Sequence, residues 1–183
     1  MPSNLMGALR ELGPLQRGDL GMAELLRSVA PAQLPAPLWP AAPTYTRTCL
    51  YCDDRFEVLV LDWAPGAVTE IHDHGGQRCW LMVLQGSFRV DDFARVDDGA
   101  VEGVALLKAG ATQTLAPFDL DVRSGRFDIH RVAAGEARAR TLHVYAGPLR
   151  NYSVYDLRLQ RCRPATSRYD RVLRFAESHR VAQ

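Results

Sequence analysis

The stretch Gly66-Ala-Val-Thr-Glu-Ile-His72-Asp-His74-Gly-Gly-Gln-Arg-Cys79-Trp-Leu-Met-Val-Leu-Gln-Gly86 decides how this chain is read. It leaves a turn at Ala64-Pro65-Gly66, runs as a short strand over 69–74 and breaks at Gly75-Gly76. An apolar strand over 79–84 follows and stops at Gln85-Gly86. Short strands closed by Gly and Pro turns are the texture of antiparallel β folds. His72 and His74 are one residue apart, so on a strand both imidazoles project from the same face. Joined by a third ligand, two such imidazoles make a metal site, although a surface coincidence gives the same spacing. Asp73 faces the other way and is not a ligand.

Strand-like segments continue on both sides. Residues 45–47 and a run ending at Trp63 precede the stretch. Residues 88–93, 103–107, 112–115, 127–132, 141–145 and 153–157 follow it. The series predicts an antiparallel barrel or sandwich over about 45–157. Ahead of it, Leu5, Leu9, Met22, Leu25, Leu26 and Val29 recur at helical spacing, with breaks at Pro14 and Gly18. Pro31, Pro35, Pro37, Pro40 and Pro43 then form a stiff connector to residue 43. The Arg-rich tail from Arg158 is expected to pack outside the barrel.

At 183 residues the chain is long enough for one domain with one core, and 1–183 is read as that. Its net charge of +1 gives no sign of a nucleic-acid or anionic-membrane partner. No apolar run reaches the length of a membrane-spanning helix, and Glu11 argues against a signal peptide. Four cysteines, Cys49, Cys52, Cys79 and Cys162, are too few for a disulfide scaffold, so a cytoplasmic enzyme is expected. Cys49 and Cys52 resemble half a zinc site, but no second such pair exists.

Several side chains could complete a site. His130 lies on a late strand that a closed sheet would return to the first pair, and a satisfied or solvated histidine reads equally from the sequence. Thr141, His143 and Tyr145 alternate onto one face, as a hydroxyl–imidazole–phenol chain or as the solvated side of a strand. Tyr45 and Arg47 share a face of an early strand. An arginine fork there suits a carboxylate, while a plain surface arginine fits too. His179 belongs to the tail and is expected to be exposed.

Taken together in order, these pieces resemble a known family. Gly66 to Gly86 is similar to the first cupin motif, with Cys79 where many cupins carry a ligating glutamate. Tyr45-Thr-Arg47, His72-Asp-His74, Cys79, Leu84-Gln-Gly86, Ile129-His130-Arg-Val132 and Leu142-His143-Val-Tyr145 resemble the thiol dioxygenases, and among them the cysteine dioxygenase family. The resemblance implies an all-β cupin (RmlC-like) antiparallel β-barrel or jelly roll with N-terminal helices. It implies mononuclear Fe(II) held by His72, His74 and His130. L-cysteine and O2 would be the substrates and cysteine sulfinic acid the product, made by a monomer. Arg47 with Tyr45 would bind the carboxylate, and Tyr145, oriented by His143 and Thr141, would face the thiolate. Cys79 matches a cysteine that some members join to the tyrosine by a thioether; a Cys79–Tyr145 crosslink and a free buried thiol both stay open. Ala146-Gly147 departs from the family's Ser-Pro, and Ala134 from its asparagine. The rival readings are 3-mercaptopropionate oxidation, disfavoured by Arg47 and not rescued by Gln77, another metal-dependent cupin enzyme, and a non-enzymatic ligand-binding cupin.

Overall fold

The computed structural model describes residues 3–125 and 128–173. Two helices, α1 (Ser3–Glu11) and α2 (Pro14–Arg27), lead into a 3-10 turn (Pro31–Gln33) and the proline connector. Both expected breaks are present: Pro14 starts α2, and Gly18 inside it has non-helical backbone with φ of 65°. Twelve strands follow among the described residues: β1 (Tyr45–Cys52), β2 (Glu57–Trp63), β3 (Ile71–His72), β4 (Cys79–Gln85), β5 (Phe88–Arg95), β6 (Leu107–Leu115), β7 (Leu120–Arg123), β8 (Ile129–Ala134), β9 (Ala139–Tyr145), β10 (Asn151–Asp156), β11 (Arg161–Thr166) and β12 (Arg171–Val172).

The strands form two six-stranded sheets, ordered β12-β1-β2-β9-β4-β7 and β11-β10-β3-β8-β5-β6. A β-rich fold with N-terminal helices is therefore present, and neither sheet closes on itself, so of the expected barrel or sandwich the two-sheet form is the one seen. Pairing is antiparallel except where β12 runs parallel to β1. The alternation of side chains explains why the first sheet is buried on both faces. Leu59, Leu61, Trp63, Leu81 and Val83 face the second sheet's Phe88, Val90 and Val132. Val58, Val60, Trp80, Met82, Leu142 and Val144 face the helices' Leu5, Leu9, Met22 and Leu26. Hence β2 carries a near-continuous apolar run, and β2 and β9 are both buried along their whole length, β9 with Arg140, Thr141 and His143 among its buried residues.

Two features tie the sequence signals to this packing. Gly86 ends β4 with φ of 81°, and a Cβ there would meet the Cβ of Ala139 at 2.6 Å. The connector is fastened by the fully buried Asp62. Its carboxylate accepts from Arg140 Nε at 2.6 Å and from the Leu38 amide at 2.7 Å, while Arg140 Nη2 donates to the Pro35 carbonyl at 2.6 Å.

Several expected strand limits change. The run at 112–115 extends back to Leu107 as β6, with a register shift opposite Asp91 and Phe93, whereas residues 103–106 form no strand and Val104 makes only an isolated bridge to Arg161. The strand over 69–74 shrinks to Ile71–His72; Thr69 and Asp73 each keep one backbone bond, to Val132 and Ser153, and their side chains accept from the amides of the same two residues. The tail does not stay outside the sheets: it supplies β11 and β12, both at edges, where Pro164 is tolerated. Phe127 and His179 lie outside the described residues.

Candidate metal centre

His72 occupies the middle of the second sheet, paired with His130 of β8 on one side and Val154 of β10 on the other. His74 lies just past the end of β3, so strand alternation alone does not place it. Asp73 does the rest. It turns away from the imidazoles, is buried, and accepts from the Gly75 amide at 3.0 Å, the Ser153 amide at 2.9 Å and the Tyr155 hydroxyl at 2.6 Å. That anchor fixes the turn and swings His74 back beside His72.

The three rings converge. Their centroids are 5.3 Å apart for His72 and His74, 4.7 Å for His72 and His130, and 4.9 Å for His74 and His130. One nitrogen from each lies within 4.8 Å of the others, the sole group of three or more candidate ligands among the described residues. His72 Nδ1 donates to the Glu70 carbonyl at 2.9 Å, which leaves Nε2 with its lone pair free. His74 Nδ1 and both nitrogens of His130 are buried without hydrogen-bond partners. Orphaned buried imidazole nitrogens are costly unless something binds them. Burial, reinforced by the neighbouring imidazoles, holds His74 and His130 well below the ordinary histidine range, and burial lowers His72 as well. Neutral imidazoles with free lone pairs are the form that binds a divalent metal. The residues present therefore fit one.

The other predicted side chains surround this cluster. A cavity of about 30 Å³ among the rings is lined by Tyr45, Arg47, Cys79, His143 and Tyr145. It opens at Tyr45, Arg47, His72 and Tyr145 into an outer cleft of about 350 Å³. A larger groove of about 630 Å³ lies elsewhere and contains no imidazole, so chemistry and not size locates the site. The Tyr45 ring packs on Trp63 at 4.5 Å. The Arg47 guanidinium is bonded through Nη2 to Ser167 Oγ at 2.8 Å, and its buried Nε has no partner. Among the described residues it has no carboxylate in ion-pair contact. Gln77 lines neither cavity.

Cys79 and Tyr145 are direct partners across β4 and β9. Burial pushes the Cys79 thiol up, and burial with Cys79 alongside pushes the Tyr145 phenol well above its usual range. The expected hydroxyl–imidazole–phenol chain needs one correction. Trp63 Nε1 donates to Thr141 Oγ1 at 2.9 Å, and Thr141 Oγ1 lies 2.8 Å from His143 Nε2. The Thr141 hydroxyl thus joins the Trp63 indole to the His143 ring, whose buried Nδ1 has no hydrogen-bond partner. The chain stops there. His143 and Tyr145 lie with ring centroids 6.2 Å apart and planes 15° from parallel. Burial holds His143 neutral, at about 3. The peptide bonds of the described residues are all trans, and Gly147 takes φ of 108° after Tyr145.

Two residues escaped the sequence reading. Asp121 and Arg123 of β7 project inward beside His130, both buried. Arg123 binds Asp121 at 2.6 Å, Asp92 at 2.6 Å and Asp128 at 3.0 Å, and Asp121 lies 3.5 Å from His130 Nδ1. Leu-Asp-Val-Arg has the inverse of the usual pattern, with the charges inside and Val122 36% exposed, so periodicity gave no signal.

Residues 41–158 match the family description for cysteine dioxygenase type I. The chain belongs to that family. Membership agrees with the three-histidine cluster and with the ordered motifs that carry the resemblance. The human cysteine dioxygenase type 1 is 27% identical over 117 residues, covering 62% of this chain and 56% of the human protein. The chain thus aligns to little more than half of that relative. The rat protein of the same name is 26% identical over 166 residues, covering 86% of this chain and 81% of its own length. Among solved structures, KdgF from Halomonas sp. superposes with a TM-score of 0.47 at 17% identity, over 65% of this chain and 91% of its own. A cupin superfamily protein from Desulfitobacterium hafniense gives 0.45 at 20% identity, over 64% and 94%. No helix among the described residues is long and apolar enough to cross a membrane.

Proposed function

We propose that this chain is a cysteine dioxygenase that converts L-cysteine and O2 to cysteine sulfinic acid at Fe(II) held by His72, His74 and His130. The observation that carries the reading is the joining, in one cleft, of a three-imidazole cluster and an arginine without a carboxylate partner. Bound to the three imidazoles, ferrous iron supplies the O2 activation and redox change by which both oxygen atoms reach the thiol sulfur, the thiol giving all four electrons. Arg47 binds the substrate carboxylate with charge-assisted hydrogen bonds, and Tyr45, braced by Trp63, walls the same side. The small volume beside the rings excludes bulk water and strengthens these contacts. Tyr145 keeps its proton, so its phenol serves as a donor toward the substrate sulfur. Thr141 and His143 orient it.

We read the chain as one cytoplasmic monomeric domain over 1–183 and its two facing sheets as the RmlC-like jelly roll. The reading is tested by loading the protein with Fe(II) without oxygen, then following O2 uptake and sulfinate formation with cysteine; no sulfinate from fully loaded protein would sink it. Arg47→Ala is expected to raise KM for cysteine on the order of 100-fold while leaving cysteamine, which has no carboxylate, nearly unchanged. Equal effects on the two thiols would remove Arg47 from its role, and faster turnover of 3-mercaptopropionate than of cysteine by wild type would reassign the substrate.

The facing of Cys79 and Tyr145 across adjacent strands supports a thioether between them. Forming it removes two hydrogens. Aerobically purified protein is expected to contain a species lighter by that mass, with the shift in the linked peptides; an unshifted mass after turnover with iron, cysteine and O2 excludes the link.

A further inference from the structure

Residues 159–173 lie beyond the stretch that matches the family, yet they fold directly onto Arg47. Asp170 grips its backbone from both sides. Asp170 Oδ2 accepts from the Arg47 amide at 2.7 Å, and the Asp170 amide donates to the Arg47 carbonyl at 2.9 Å. The Ser167 amide donates to the Arg150 carbonyl at 3.0 Å, which pins the other end of the loop. After it, β12 pairs with Thr48 and Cys49, and the Leu173 amide donates to the Cys49 carbonyl at 3.0 Å. With its backbone held, the Arg47 side chain has one hydrogen-bond partner among the described residues, the Ser167 hydroxyl.

We propose that Ser167 is a positioning residue for carboxylate recognition, holding the Arg47 guanidinium in place through Nη2 while leaving its positive charge free for the substrate. The inference rests on the function proposed above. A hydroxyl is suited to this task for an electrostatic reason. An aspartate at 167 would form a bidentate ion pair and compete with the incoming carboxylate. An alanine would leave the fork to sample rotamers, and that freedom is lost again on binding. Asp170 is near enough to be such a competitor, but its carboxylate is turned to the backbone amide.

The test is anaerobic calorimetric titration of the full-length Fe(II)-loaded protein with L-cysteine and with cysteamine, in wild type, S167A, S167T and S167D. S167A is expected to weaken cysteine binding roughly 3- to 10-fold, the net worth of one ordinary hydrogen bond. S167T should restore it, and S167D should weaken it at least about 30-fold by direct competition. Cysteamine should change less than about twofold in S167A, since it lacks the group that Arg47 reads. Parallel changes for both thiols, or no change in S167D, overturn the proposal. A second readout needs no substrate: the guanidinium proton resonances of Arg47, assigned by their loss in R47K, should show hindered rotation in wild type and S167T and fast rotation in S167A. Identical spectra in wild type and S167A overturn the clamp. If wild type binds neither thiol, the proposed function fails while these spectra still decide whether Ser167 holds the guanidinium.

Discussion

His130→Ala is expected to lose Fe(II) binding by at least about 100-fold, beyond the effect of removing a group that merely supports a ligand, and with it all measurable sulfinate formation. The size follows from the environment. His130 is 3% exposed and both its nitrogens lack hydrogen-bond partners. Its removal leaves His72 and His74 as a two-ligand site that water must complete, inside a volume of about 30 Å³. Folding should survive. The side chain makes no hydrogen bond, the nearby Asp121 stays paired with Arg123, and the loss of packing is smaller than the loss of a large apolar core residue. Equilibrium iron titration with a competing chelator, alongside thermal unfolding of the metal-free protein, checks both halves. Iron binding and cysteine oxidation at wild-type levels would exclude His130 as a ligand. A fall in metal-free stability as large as a core cavity would mean that the histidine serves packing first.

Arg123→Met is expected to be the most damaging single change to stability. Arg123 neutralises Asp121, which is 4% exposed, and also binds Asp92 and Asp128. Removing one partner of a buried ion pair typically costs about 3–5 kcal/mol, because the remaining charge is left desolvated. For a domain of this size that corresponds to a melting temperature lower by roughly 6–20 °C. Replacing both partners should cost much less, so Asp121→Leu in the Arg123→Met background is expected to recover most of the loss. Urea unfolding of the two single variants and the double variant measures the coupling. A double variant no more stable than Arg123→Met would show that the pair is not the source of the effect. The same cycle bears on the metal centre, since Asp121 is the carboxylate nearest His130 Nδ1, at 3.5 Å.

Much of this architecture was legible beforehand where one face of an element is apolar. The helical repeat of Leu5, Leu9, Met22 and Leu26 and the runs of β2, β4 and β9 follow directly from which surfaces must leave water. Where charge points inward or backbone pairing alone holds an edge, as in β7, β11 and β12, the pattern carried no signal. Residues 108–111 of β6 were not read as strand for a similar cause: the strand is exposed along most of its length and includes Gly110.

What the sequence determined by itself is the set of chemical groups and their local spacing. His72, His74 and Cys79 lie within a few residues of one another, so chain proximity alone keeps them near one another. It also determined the ordered motifs that place the chain in its family. Tertiary structure decided the rest, because each remaining relation joins residues remote in the chain. Pairing of β3 with β8 delivers His130 to His72, and Asp73, bonded to β10, turns His74 back toward both. The tail brings Ser167 and Asp170 to Arg47, and β7 brings Asp121 to His130. Such contacts depend on strand register and sheet order, which are fixed by cooperative packing of the whole core and leave no periodic trace in any one segment.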